Sequence, residues 1–335
     1  MNLPGRPARG WQGRTLIIWT AVGGAVVFAL LSLLSDLDVL VPALKNFPLR
    51  LLVPIGLLSL GNYILRFVKW HWYLVAIGYR VPLGANFLVF LSGFALTVTP
   101  GKVGEFIKAF ILKVRHGVPY TSSTAVLLME RFTDVIAIVL LCFLGLFLEF
   151  LQPVYVVGSV IFIVLIIALG RNRRFVGFII NLSDRVPLLR GTTRHLHQLY
   201  DSGWVLTSPG IYTWSLVISV IAWFLEGVGY YLVAEGLGFH LTITEAVFIY
   251  SASLLGGALT LFIGGLGATE GALVALGIAF GMSWEIAIAA AIIIRVMTLW
   301  LAVVLGWVVF LFTPSLRSLL KASSMEEGVK TSELL

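Results

Sequence analysis

Long apolar runs alternate with short polar breaks along the chain, and run length decides what each one is. Six runs, at about 15–35, 49–70, 120–148, 153–170, 210–235 and 284–312, come close to or exceed the roughly 20 residues a transmembrane helix needs. Two more, at about 83–99 and 243–263, end in glycine-rich breaks. Shorter apolar or amphipathic pieces follow them at about 102–115 and 268–281. The pattern predicts an all-α polytopic membrane protein with about six spanning helices and two re-entrant helical hairpins.

Composition agrees. Of 335 residues, 59% are hydrophobic and 12% charged, and the mean hydropathy is +1.01. A soluble domain carries about 25% charged residues. The basic N-terminus and the run after it lack a small-residue cleavage site, which predicts a retained first span and not a signal peptide. The formal charge of +7 comes from 23 Lys/Arg and 16 Asp/Glu. Most positive residues flank apolar runs, so they read as topology signals and not as a nucleic-acid surface.

Arginine and lysine then set orientation. Residues 1–14 carry Arg6, Arg9 and Arg14, the 171–209 loop carries six arginines, and the 314–335 tail carries Arg317 and Lys321. All three segments are predicted to be cytoplasmic. Short, weakly charged loops are expected at 36–48, 149–152 and 236–242. These assignments agree only if each broken stretch enters and leaves on one side. Two full spans at 83–115 would satisfy that too, but 102–115 is only about 21 Å long as a helix and carries five charges. A re-entrant hairpin is therefore favoured. The membrane part divides into a first half, 15–170, with hairpin 83–115, and a second half, 210–313, with hairpin 243–281.

The two breaks resemble each other. "GFALTVTPGKVG" and "GGALTLFIGGLG" share six residues at an offset of 163, from Gly93/Gly256 through Gly101/Gly264 to Gly104/Gly267. Each break is followed by a helix with one arginine near its middle, Arg131 and Arg295. The charge topology makes the copies run in opposite directions. An inverted repeat with broken helices is a transporter architecture.

Arginine at such depth costs about 2.5–3.5 kcal/mol or more in lipid, so Arg131 and Arg295 must face a cavity or a partner. Glu130, Asp134, Glu226 and Glu270 are the candidate charge-balancing or proton-coupling acids. Lys102, Glu105, Arg131, Arg295 and the tip residues Gly101, Gly104, Gly264 and Gly267 are the candidate lipid-headgroup ligands. The guanidinium fork suits phosphate, and exposed N–H groups at a broken helix start attract anions. Arg66 and Lys69 are expected to snorkel toward headgroups, and Lys108 to be an interfacial charge. Cys142 is the only cysteine, the histidines form no metal signature, and no cofactor motif or catalytic set occurs.

"TPGKVGEFIKAFIL", "MERFTDVIAIVLL", "GGLGATEGAL" and "IIIRVMTLW" together resemble the transmembrane region of lysylphosphatidylglycerol synthases, a flippase-like family also called uncharacterised family 0104. The resemblance runs over about residues 12–313. It implies a lipid flippase unit with charged positions at Lys102, Glu105, Glu130, Arg131, Asp134, Glu270 and Arg295. The best-known members add a soluble domain that transfers lysine to phosphatidylglycerol, and no such domain is expected in these residues. The second tip reads "IGG" where the first reads "TPG", so it lacks the proline stop.

The leading expectation is a multi-pass cell-membrane protein that moves a phospholipid or phosphate-bearing glycolipid headgroup between leaflets. It would be a transporter and not an enzyme. Its partners would be membrane lipids and a separate lipid-modifying enzyme. The alternatives are a membrane-embedded lipid- or polyprenyl-phosphate-modifying transferase, and a scaffold subunit of an envelope lipid synthesis complex.

Overall fold

In a computed structural model of the chain, the described residues are 37–98, 105–150, 203–259 and 266–313, with isolated positions between 157 and 201. The predicted span 15–35, most of 153–170, the hairpin tips apart from Gly267, most of the 171–209 loop and the 314–335 tail lie outside them.

The described elements are helices. α1 is Leu37–Asn46. α2, Leu52–Ala76, follows a 3₁₀ turn at Leu49–Leu51. α3, Leu83–Ser92, tightens into a 3₁₀ turn at Gly93–Leu96. α4 is Ile107–His116 and α5 is Tyr120–Phe150. α6 is Pro209–Gly236, α7 is Ile243–Leu259 and α8 is Ala268–Ala279. α9, Trp284–Arg295, runs through a π turn at Val296–Trp300 into α10, Leu301–Phe312. Three stretches are long and apolar enough to cross a membrane: Leu49–Ala76, Pro209–Gly236 and Trp284–Phe312. α5 is 31 residues long but carries Glu130, Arg131, Asp134 and Glu149. The 3₁₀ turn after α3 ends at Leu96, before the first predicted break, and α8 starts at Ala268, after the second.

One expectation fails locally. The stretch 36–48, read as a loop, contains α1. Its Leu40, and Phe47 just beyond it, are buried in a core shared with α6, α7 and α9. An apolar face that meets a neighbouring helix overrides a short, turn-like sequence.

α2 shows how the bundle is selected. Val53, Leu57, Leu60, Ile64, Val68, Trp72 and Val75 are exposed and recur every three or four residues. Ser59, Asn62, Arg66, Lys69 and Tyr73, on the opposite face, are buried. Lipid tails are as apolar as leucine, so hiding the apolar stripe from them gains little. Hiding the polar stripe avoids the cost of ionised groups in hydrocarbon. The face turned inward is therefore the polar one.

Backbone details recur between the halves. The Tyr79 N–H donates to the Leu74 carbonyl, and the Phe239 N–H to that of Ala234. Both close a helix end on a left-handed glycine, Gly78 at φ 92° and Gly238 at φ 79°, where a β-carbon would be strained. These caps stand 160 residues apart. Ser123 donates to Pro119 and Ala287 to Ser283, opening α5 and α9 at a spacing of 164. Packing follows the same exchange. α2 packs on α6; α3 and its 3₁₀ turn pack on α10 of the second half; α7 packs on α5 of the first. At the α10 contact a β-carbon on Gly306 would overlap the Ala95 backbone.

Candidate functional site

A group of ionised side chains occupies the interior where α2, α4, α5 and α6 meet. α2 contributes Arg66 and Lys69, one turn apart. The turn before α4 contributes Glu105, and α4 contributes Lys108. α5 contributes Glu130, Arg131 and Asp134, which the i, i+3, i+4 geometry gathers toward one side.

Glu130 is the centre. It is fully buried. Its Oε1 accepts from Arg66 Nη2 at 3.2 Å and from Arg131 Nη2 at 2.9 Å, and its Oε2 accepts from Lys108 Nζ at 3.1 Å. Asp134 takes Lys69 Nζ on Oδ1 at 2.5 Å, and its Oδ2 lies 3.7 Å from both Arg66 and Arg131. Lys69 also donates to Ser219 Oγ of α6 at 2.6 Å and to Thr133 Oγ1 at 3.2 Å. Glu105 meets Arg131 Nη2 at 3.3 Å. Aromatic faces complete the shell: Lys108 Nζ lies 4.4 Å from the Trp70 ring centre, and Arg66 lies 5.5 Å from that of Trp223.

The expectation that Arg66 and Lys69 snorkel, and that Lys108 is interfacial, is therefore overturned. Lys69 is 1% exposed, Lys108 2% and Arg66 8%. Their carboxylate partners make burial possible, because a buried charge persists only when paired and hydrogen-bonded. The missed signal is the polar stripe Ser59, Asn62, Arg66, Lys69, Tyr73. Among the described residues the group holds four cations (Arg66, Lys69, Lys108, Arg131) against three carboxylates (Glu105, Glu130, Asp134), a formal surplus of one positive charge.

A smaller counterpart lies in the second half. Arg295 Nε donates to Glu270 Oε1 at 2.6 Å. The other oxygen of Glu270 accepts the Gly267 N–H at 2.7 Å, so one carboxylate both caps α8 and holds the arginine. Gly267 itself starts that helix at φ 82°. The ladder then widens into the π turn directly after Arg295. Such turns inside helices concentrate at functional sites. Arg131–Glu105 and Arg295–Glu270 are thus like pairs, at spacings of 164 and 165 residues. Glu226 accepts a 2.5 Å hydrogen bond from Tyr250 and lies within electrostatic reach of Arg66, Asp134 and Arg295. Tyr63 donates to the Thr298 carbonyl, tying α2 to the π turn. The structure therefore brings Glu105, Glu130, Arg131 and Asp134 into one group and Glu270 and Arg295 into a second, with Glu226 in reach of both. Gly101, Lys102, Gly104 and Gly264 lie outside the described residues. No group of three or more His, Cys, Asp or Glu able to hold a metal occurs among the described residues.

Residues 19–306 match the family described as the lysylphosphatidylglycerol synthase TM region. The chain belongs to that family. Its relatives include a UPF0104 membrane protein of Methanothermobacter thermautotrophicus, 24% identical over 75% of this chain and 79% of the relative. Another is the UPF0104 membrane protein MJ1078 of Methanocaldococcus jannaschii, also 24% identical, over 70% of this chain and 99% of that protein. A shorter likeness, 26% identity over 34% of this chain, reaches 18% of the glycosyltransferase AglD of Haloferax volcanii. As a family member with three apolar stretches of spanning length, it is a multi-pass membrane protein. The ionised groups described above all fall within the region matched to the family.

Proposed function

We propose that this lysylphosphatidylglycerol synthase TM-region protein is a lipid transporter that carries a phosphate-bearing headgroup between leaflets. The observation that supports it most is the buried group around Glu130, with its surplus cation, in the interior of a membrane bundle. Ionised residues inside a membrane bundle mark substrate or ion paths. Arginine forks bind phosphate bidentately, while the acyl chains remain in the bilayer. The carboxylates hold the cations in place between substrates, and Glu226 is the acid we assign to charge balance or proton coupling.

The two halves are read as an inverted repeat, with re-entrant hairpins at 83–115 and 243–281 and both termini in the cytoplasm. The exchange-related packing of α3 on α10 and α7 on α5 supports this reading. It predicts that single cysteines at Lys102 and Gly264, in a Cys142→Ala background, label from opposite faces of the membrane. Labelling of both from one face rules the inverted arrangement out.

Transport is tested with a fluorescent phospholipid in proteoliposomes. Arg131→Ala should slow translocation at least about tenfold, the equivalent of about 1.4 kcal/mol on the barrier. Arg295→Ala should do the same. Rates equal to wild type in both remove the arginines from the mechanism. The likeness to a glycosyltransferase favours testing a transferase as well. Membranes supplied with activated sugar donors should yield no covalently modified lipid by mass spectrometry, and a product that depends on Arg131 would replace transport with group transfer.

A further inference from the structure

Glu226 differs from the other buried acids of the two charged groups. Glu105, Glu130, Asp134 and Glu270 each have a cationic nitrogen within 3.3 Å. Glu226 is 4% exposed, yet no cation among the described residues forms an ion pair with it. Its Oε2 accepts from Tyr250 at 2.5 Å, and the described residues give Oε1 no hydrogen-bond partner. The charged and titratable groups facing it come from four helices: Tyr63 and Arg66 of α2, Asp134 of α5, Tyr250 of α7 and Arg295 of α9.

The position has a counterpart in the first half. α2 and α6 end 160 residues apart, at Ala76 and Gly236, and α3 and α7 start 160 apart, at Leu83 and Ile243. Asn62 donates to the Ala222 carbonyl at 2.8 Å, again 160 apart, so α2 and α6 cross at matching positions. At that spacing Arg66 matches Glu226 and Phe90 matches Tyr250. One half thus places a permanent cation where the other places a group that can gain or lose a proton. The second half also adds the hydroxyl that holds it.

Among the described residues the interior holds five cations, Arg66, Lys69, Lys108, Arg131 and Arg295, and five acids, Glu105, Glu130, Asp134, Glu226 and Glu270. With Glu226 ionised the sum is zero, and with Glu226 protonated it is one positive charge. A buried carboxylate with no cation beside it is costly, and a proton relieves that cost. The positive charge that remains is then free to be cancelled by a phosphate. We propose that Glu226 is a proton-binding site, and that one proton crosses with each substrate headgroup. No covalent bond of the substrate changes: the proton adds to Oε1 while Tyr250 keeps Oε2, and it leaves once the headgroup has gone. Arg66 Nε and Arg295 Nη2 are buried donors without a hydrogen-bond acceptor among the described residues, so the interior holds donors to receive the ionised carboxylate. This deepens the transport reading by naming the driving ion, and it rests on that reading for the coupling but not for the proton site.

The test uses the full chain, in detergent micelles and in proteoliposomes. Infrared difference spectra between acidic and alkaline buffer should show the carbonyl band of a neutral carboxyl, and Glu226→Gln should remove it. Tyr250→Phe should shift the band, because the carboxyl loses its donor, and this variant carries the test should Glu226→Gln not fold. Absence of the band in wild type, or a band unchanged in either folded variant, overturns the proposal. In proteoliposomes held at zero membrane voltage, one proton per lipid means that a gradient of about one pH unit changes the leaflet ratio of a fluorescent phospholipid about tenfold. Glu226→Gln should leave that ratio unmoved by the gradient. Translocation by wild type that ignores the gradient overturns the proposal and leaves transport standing. No translocation under any gradient, with the carboxyl band behaving as expected, sinks the transport reading and leaves the proton site standing.

Discussion

Glu130→Ala is expected to destabilise the protein by about 3–5 kcal/mol, because it strips the shared partner from several buried cations at once. Arg66, Lys108 and Arg131 all lie within 3.2 Å of this carboxylate. Its removal raises the formal surplus of the group from one positive charge to two. Asp134 remains, but Lys69 holds its Oδ1 and the two arginines share Oδ2 only at 3.7 Å. Glu105 also remains, 3.3 Å from Arg131 Nη2. Glu130→Gln separates charge from shape. It keeps the volume and one acceptor, so a steric role for Glu130 would leave it near wild type. The charge argument places it close to Glu130→Ala. Thermal unfolding in detergent micelles reads the difference, and a wild-type midpoint for the glutamine variant would refute the account of the cluster given above.

Arg295 and Glu270 give the second large effect and a cleaner pair. Arg295 is 5% exposed and Glu270 is fully buried. Arg295→Met leaves a buried carboxylate with no cation and should cost about 3–5 kcal/mol. Adding Glu270→Gln removes that carboxylate and should restore much of the loss, since a buried pair replaced as a unit is often near neutral. Glutamine keeps a side-chain oxygen for the Gly267 N–H, so the start of α8 stays capped. The double variant should therefore unfold at a higher temperature than Arg295→Met alone. Equal midpoints would mean that the pair contributes no coupling. The same double variant serves the transport assay: folded but without Arg295, it separates loss of the cation from loss of the fold.

Much of this was legible in the residues. The run at 284–312 is the α9–α10 stretch, and 210–235 differs from α6 by one residue at each end. Run length alone determines these, because a helix satisfies its own backbone in lipid. The 3₁₀ turn ends at Leu96, just before the Thr-Pro-Gly stretch, and Gly267 opens α8 at φ 82°. Arg131, Glu130 and Asp134 were visible as charges at a depth where lipid would not tolerate them alone. Arg66, Lys69 and Lys108 were not placed correctly. A lysine near a helix end reaches headgroups or a buried acid with the same stem. Which it does depends on the neighbouring helix, and the relevant acids stand 64 to 68 positions away for Arg66 and Lys69 and 22 away for Lys108.

The sequence by itself determined that this chain is a helical membrane protein, where several of its helices begin and end, and that arginines and acids occupy two corresponding stretches. Those are local matters of hydropathy, helix length and backbone chemistry. Only the tertiary structure decided that Glu130 is the centre of the charged group, that Glu270 serves a helix start and an arginine together, and that Arg131, among the described members of that group, keeps an edge open to an apolar cavity. The physical reason is that pairing depends on distances of about three ångströms between helices far apart in the chain. Hydropathy says only that a charge must find a partner, and packing says which.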